Sequence, residues 1–135
     1  LELSDVRMLI EPACAALAAR HAKCDDIEKM KELCYEIQDA VEGGKDYIRP
    51  DTQFHLYVAK CCGNSVLQNL VGIIGDAASV SILITKDKHR DVAFSEHWAI
   101  IQAIAAHDED GARYSMLSHL NTARNDLVQM RHTKK

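Results

Sequence analysis

Phe94-Ser95-Glu96-His97-Trp98-Ala99-Ile100-Ile101-Gln102-Ala103-Ile104 reads as one amphipathic helix. Phe94, Ile101 and Ile104 recur at the three- and four-residue spacing of a helical face, and His97 falls on the same stripe. An imidazole thus takes a place where a core residue is expected. His119 does the same beside Met116, Leu120, Ala123 and Leu127. Upstream, Asp51 and His55 stand four apart, so one helical face can aim an oxygen and a nitrogen at a common point.

A single histidine on an apolar face is usually a hydrogen-bonded core residue. Three of them with an aspartate in one small domain are better explained by a shared partner, because burying so many polar groups separately is costly. Asp51, His55, His97 and His119 therefore form a candidate metal set of one carboxylate and three imidazoles.

The rest of the chain also carries helical patterns, with no convincing strand. Ser4 or Asp5 is expected to cap a first helix running to about Ala22, its apolar stripe being Val6, Leu9, Ile10, Ala13, Leu17 and Ala18. Pro12 should bend that helix modestly or be accommodated locally. Asp25 or Asp26 opens a second helix through Ile27, Met30, Leu33, Cys34, Ile37 and Val41, and Gly43-Gly44 ends it.

Pro50 suits the first turn of a short third helix, with Phe54, His55, Val58 and Cys62 inward and Gly63 as its stop. Asn64 or Ser65 caps a fourth from Val66 to Ile84, apolar almost all round, as in a helix buried centrally or placed at a dimer contact. Gly72 and Gly75 weaken it locally or permit close helix approach. Lys86 to Asp91, with His89, reads as a charged loop. The fifth helix ends near His107, and Asp108-Glu109-Asp110 caps a sixth that frays into Arg131 to Lys135. Short loops between six amphipathic helices imply an all-α, antiparallel bundle.

Composition bounds the function. At 135 residues and 47% apolar, the chain suits one domain, residues 1–135, with a real core. The net charge is −4 and the basic residues are scattered, so no phosphate-tracking stripe is expected and the chain alone should not bind DNA. Five cysteines without a CxxC pair fit a reducing cytoplasm, where Cys behaves as a small hydrophobe. Adjacent Cys61 and Cys62 could be a redox sensor, though packing at a helix end accounts for them more simply. No membrane span or signal segment is read. Leu1 in place of Met, directly ahead of a helix, suggests a fragment of a longer protein.

The order of further motifs resembles the FCD domain, the effector-binding and oligomerisation domain of GntR-type bacterial transcription regulators of the FadR subfamily. These motifs are Asp5-Val6-Arg7, Glu11-Pro12, Leu17-Ala18-Ala19, Asp51-Thr52-Gln53-Phe54-His55 and Gly63-Asn64-Ser65-Val66-Leu67. They continue with Glu96-His97, Ala103-Ile104, Asp108, Ala112 and Met116-Leu117-Ser118-His119-Leu120, covering essentially the whole chain.

The resemblance implies that Asp51, His55, His97 and His119 hold one divalent ion and that a small organic acid completes its coordination. It does not fix the metal; mixed imidazole and carboxylate ligation suits Zn first, then Ni, Mn or Fe. Arg7 matches the family's first-helix arginine and is expected to clamp the acid's carboxylate, against a helix-surface pairing with Glu11. Asn64 is a weaker effector-binding candidate, with capping of the fourth helix as the plainer role.

The resemblance further implies a homodimer and DNA binding only through an N-terminal winged helix-turn-helix domain, of which no trace precedes Leu1. Two other readings compete with the sensor. One is a metalloenzyme acting on a small carboxylate; against it, no general base sits at helical spacing from the ligands, and Glu96 should face away from His97. The other is a dimerisation module with a structural metal. His21 and His107, near helix C-termini, read as structural or surface residues, as does His132. Trp98 reads as a core or interface aromatic.

Overall fold

The computed structural model describes residues 2–75 and 92–133, and every regular element among them is an α-helix. In chain order these are α1 (Glu2–His21), α2 (Cys24–Glu42), α3 (Ile48–Lys60), α4 (described over 65–75), α5 (Ala93–Ala105) and α6 (Glu109–Thr133). The expected fourth-helix residues beyond 75 and the charged loop with His89 lie outside the described residues, as does the end of the tail.

Packing closes the helices into a ring. α1 lies along α6, α6 against α5, α5 against α2, α2 against α3, and α3 returns to α1. α1 and α6 run antiparallel, since Asp5 near the start of one meets Arg124 far along the other at 2.9 Å, while Arg20 and Glu109 pair at 2.7 Å at the opposite end. Inside the ring Met30, Ile37, Phe54, Val58, Ile100, Ile101, Ile104 and Met116 form one core. α4 lies outside it, seating Val71 and Leu67 on a second cluster with Cys14, Ala59 and Cys62.

Helix ends follow local chemistry. Asp26 reaches back to accept the Lys23 backbone N–H at 2.9 Å, so α2 starts slightly earlier than expected, with Asp26 in its first turn rather than at its cap. The chain leaves α2 through Gly44, whose φ of +65° lets Lys45 N–H donate to Ala40 O and Gly44 N–H to Val41 O. α5 ends by the same device, but with His107 at φ +56°, its Nδ1 2.8 Å from Ala19 O of α1. Asp108 then caps α6 by accepting Gly111 N–H at 2.9 Å.

Three expectations are corrected. α1 begins at Glu2, placing Ser4 and Asp5 inside its first turn, and it runs through Pro12 without ending. Its buried face is not the expected stripe: Leu9 is 78% and Val6 39% exposed, while Arg7, Glu11, Pro12, Cys14, Ala15, Ala16, Ala18 and Ala19 are buried. Small residues let α1 lie close to its neighbours, and the polar pair within that face is satisfied internally. Nor is the described part of α4 buried on all sides, since Val66 and Ile73 are 66% and 71% exposed.

Candidate metal centre

Asp51 and His55 project from α3, His97 from α5 and His119 from α6. Asp51 lies in the first turn of α3 and His55 one turn on, so the helix presents both to the ring interior. One ligand-type atom from each of the four residues lies within 4.8 Å of the others. His97 Nε2 is 3.0 Å from Asp51 Oδ1, His55 Nε2 is 3.9 Å from Asp51 Oδ2, and the Nε2 atoms of His55 and His119 are 3.3 Å apart. The whole expected set is brought together.

Asp51, His55 and His97 are buried and His119 nearly so. Despite its closeness to Asp51, His97 makes no aligned hydrogen bond: neither ring nitrogen has a partner among the described residues. A buried imidazole nitrogen left unsatisfied costs about 1–3 kcal/mol, and a cation at Nε2 would remove that cost for one of the two. The mixed nitrogen and oxygen donors, gathered from three helices, fit a divalent ion.

Two carboxylates outside this set complete the surroundings. Glu11 on α1 lies 2.6 Å from His55 Nδ1 through Oε1 and accepts from Arg7 Nε at 2.6 Å through Oε2. Glu96 Oε1 lies 2.9 Å from His119 Nδ1. Neither stands out as a site residue in the sequence: Glu11 reads there as a surface partner for Arg7 and part of a family motif, and Glu96 as a residue turned away from His97. A signal existed for Glu11, because it shares the helical spacing of Arg7 on the face of α1 richest in small residues.

Charge is tightly compensated here. Burial alone would raise the pKa of Glu11, but Arg7 first and then His55 hold it at about 2. Burial likewise opposes ionisation of Asp51, yet the surrounding imidazoles, His97 foremost, keep it well below the ordinary carboxylate range. Arg7 is disfavoured as a cation by burial and held charged by Glu11, with Asp51 adding to the effect, so its pKa is raised. His119 is pushed down to about 4, chiefly by burial and then by His97 and His55 against the pull of Glu96. It is neutral at physiological pH, the form that offers a lone pair.

Arg7, Glu11, Asp51, Thr52, His55, Leu56, Val71 and Gly75 line a cavity of about 10 Å³ beside the ligands. Asn64 is not among them. It is exposed at the start of α4, where its Oδ1 accepts Val66 N–H at 3.0 Å and Leu67 N–H at 3.1 Å. Trp98 packs outside the ligand set, stacked on Phe94 with ring centroids 5.4 Å apart.

The model of the FCD domain matches residues 2–122. The chain belongs to the FCD family. This FCD domain is 26% identical over 121 residues to the HTH-type transcriptional repressor NanR of Escherichia coli (strain K12), covering 87% of the chain and 46% of that protein. The protein of the same name from Shigella flexneri gives the same figures. The domain therefore spans about half the length of the curated relatives it matches.

Among solved structures, Streptococcus agalactiae GntR superposes with a TM-score of 0.83 at 27% identity, over 92% of this chain and 57% of that one. Escherichia coli McbR/YncC gives 0.84 at 19% identity, over 96% and 64%, a likeness of fold. The FCD domain is thus an all-α regulatory domain of the GntR/FadR type rather than an enzyme. No helix among the described residues is long and apolar enough to cross a membrane.

Proposed function

We propose that this FCD domain senses a small organic acid through a divalent metal held by Asp51, His55, His97 and His119, and that occupancy modulates DNA binding by a winged helix-turn-helix domain of the full-length regulator. The observation that carries the reading is His97, buried with both nitrogens unpartnered among the described residues in a cluster of matching donors. Zn is the first candidate, with Ni, Mn or Fe as alternatives. When bound, the ion would supply Lewis acidity toward a carboxylate and an adjacent hydroxyl.

Arg7 is the chain's own contribution to acid binding. Its Nε is committed to Glu11, which leaves the terminal nitrogens of the guanidinium as the donors for a carboxylate. Asn64, with its carboxamide oxygen used in capping, is left out of this role. A cavity of about 10 Å³ has room for roughly one water molecule, so acid entry requires α4 or α1 to shift. Such a shift is the differential state by which occupancy is passed on.

A homodimer is part of the proposal, supported by the exposed Val66, Leu70 and Ile73 on α4. Five free cysteines support a cytoplasmic setting. The test is thermal shift of metal-stripped protein, first with Zn and then with Zn plus citrate, malate or other hydroxy acids. A sensor gains stability from the metal and further from one acid. A response to Zn with none to any acid would instead mean a structural metal in a dimerisation module.

A further inference from the structure

The glutamates behind the ligand set have a consequence for where its protons sit. Arg7 stands 2.6 Å from Glu11, both buried, so Glu11 is an ionised acceptor toward His55 Nδ1. Glu96 occupies the equivalent place behind His119 Nδ1, though from a different helix. An ionised carboxylate has no proton to give, so in each pair the imidazole donates, and a neutral imidazole has only one N–H. In their neutral forms both rings then carry the proton on Nδ1, the less common form for a free imidazole, and both Nε2 lone pairs are bare.

Those two Nε2 atoms face each other at 3.3 Å, with the rings 17° from parallel. No proton is left to lie between them. Together with the Asp51 carboxylate, they gather electron pairs into a small volume, which is unfavourable until a cation enters it.

We propose that Glu11 and Glu96 are positioning residues that fix His55 and His119 as Nδ1–H tautomers and thereby turn two lone pairs onto one cation site. The purpose of this arrangement rests on the metal-sensing reading; the tautomers themselves do not. His97 is held differently, by packing against the Phe54 ring at 4.7 Å and the His119 ring at 4.6 Å. Because Glu11 contacts Arg7 through one oxygen and His55 through the other, acid capture at Arg7 and ligation by His55 share one carboxylate. Outer partners of this kind typically change metal affinity 10- to 100-fold when removed.

The experiment is long-range proton–nitrogen correlation NMR on metal-stripped wild-type protein above neutral pH, with the imidazole signals assigned from His55→Gln and His119→Gln spectra. Both rings should show the proton on Nδ1; a proton on Nε2 of either ring overturns the proposal whatever the metal does. Zn affinity is then read by competition with a chromophoric chelator. Glu96→Ala should weaken it by about 10- to 100-fold, and Glu96→Gln, whose amide oxygen still accepts from Nδ1–H, should recover most of the loss. Unchanged affinity in Glu96→Ala counts against the proposal. If wild-type protein binds no Zn yet shows both Nδ1–H tautomers, the metal reading fails and the positioning stands.

Discussion

His97 Nε2 lies 3.0 Å from Asp51 Oδ1 with no aligned hydrogen bond between them, in an imidazole that is wholly buried. An imidazole this close to a carboxylate and itself unsatisfied is placed for a third group. His97 is therefore expected to add little stability without metal, its orphaned nitrogens offsetting its support of Asp51, and to add more with it.

Replacing His97 by Leu removes the unsatisfied nitrogens at similar volume, which is worth about 1–3 kcal/mol when both polar atoms lack partners. Metal-free His97→Leu should melt close to metal-free wild type, because the gain from removing the orphaned nitrogens is offset by losing the imidazole beside the buried Asp51 carboxylate, while the stabilisation that Zn confers is lost. A metal-free variant destabilised by about 2 kcal/mol or more would show that the imidazole is well satisfied as it stands.

Arg7 and Glu11 form a buried ion pair, with side chains 10% and 5% exposed. Arg7→Ala leaves a buried carboxylate with His55 alone and should cost about 3–5 kcal/mol in urea unfolding. The Arg7→Leu, Glu11→Leu double variant should cost less than the two single substitutions added together, because it strands no charge. A near-neutral Arg7→Ala would mean the pair is solvated and not part of the site.

The five free thiols should divide by burial. Cys24 is exposed, whereas burial pushes Cys14 up to about 12, Cys34 to about 11 and Cys61 to about 12, and Cys62 is buried beside Cys14. Ellman's reagent at mildly alkaline pH should modify one thiol quickly and the other four only as the bundle opens. Fast modification of Cys61 or Cys62 would revive the redox-sensor reading.

Gly63 has φ +77°, and a Cβ there would meet His21 Cδ2 at 3.0 Å, while Gly44 at φ +65° has nothing within 4 Å. Gly44→Ala should cost about 1–2 kcal/mol from the left-handed backbone alone, and Gly63→Ala more, because His21 must also move. Equal losses in chemical denaturation would show that His21 yields freely.

Much of this is legible in the sequence. Helices α2, α3, α5 and α6 follow from apolar spacing and from punctuation by Gly43-Gly44, Gly63 and Asp108, and the four ligand-type residues fall on their inward faces as expected. α1 misled because its largest apolar residues, Leu9 and Val6, face out while alanines and a polar pair face in; helix rotation there is set by close packing, not by hydrophobicity. Glu96 does face away from His97 in its side-chain contacts, but one residue is only a 100° turn, and from α5 its carboxylate reaches His119 of α6 instead. Contacts of that sort depend on how three helices are rotated relative to one another, which spacing along one chain does not encode.

The most direct test of the central claim is metal content by mass spectrometry on untagged protein, compared with the His97→Ala, His119→Ala double variant. The account predicts about one divalent ion per chain in wild type and none in the variant. Wild-type protein that carries no metal, even after incubation with Zn, Ni or Mn, would contradict it.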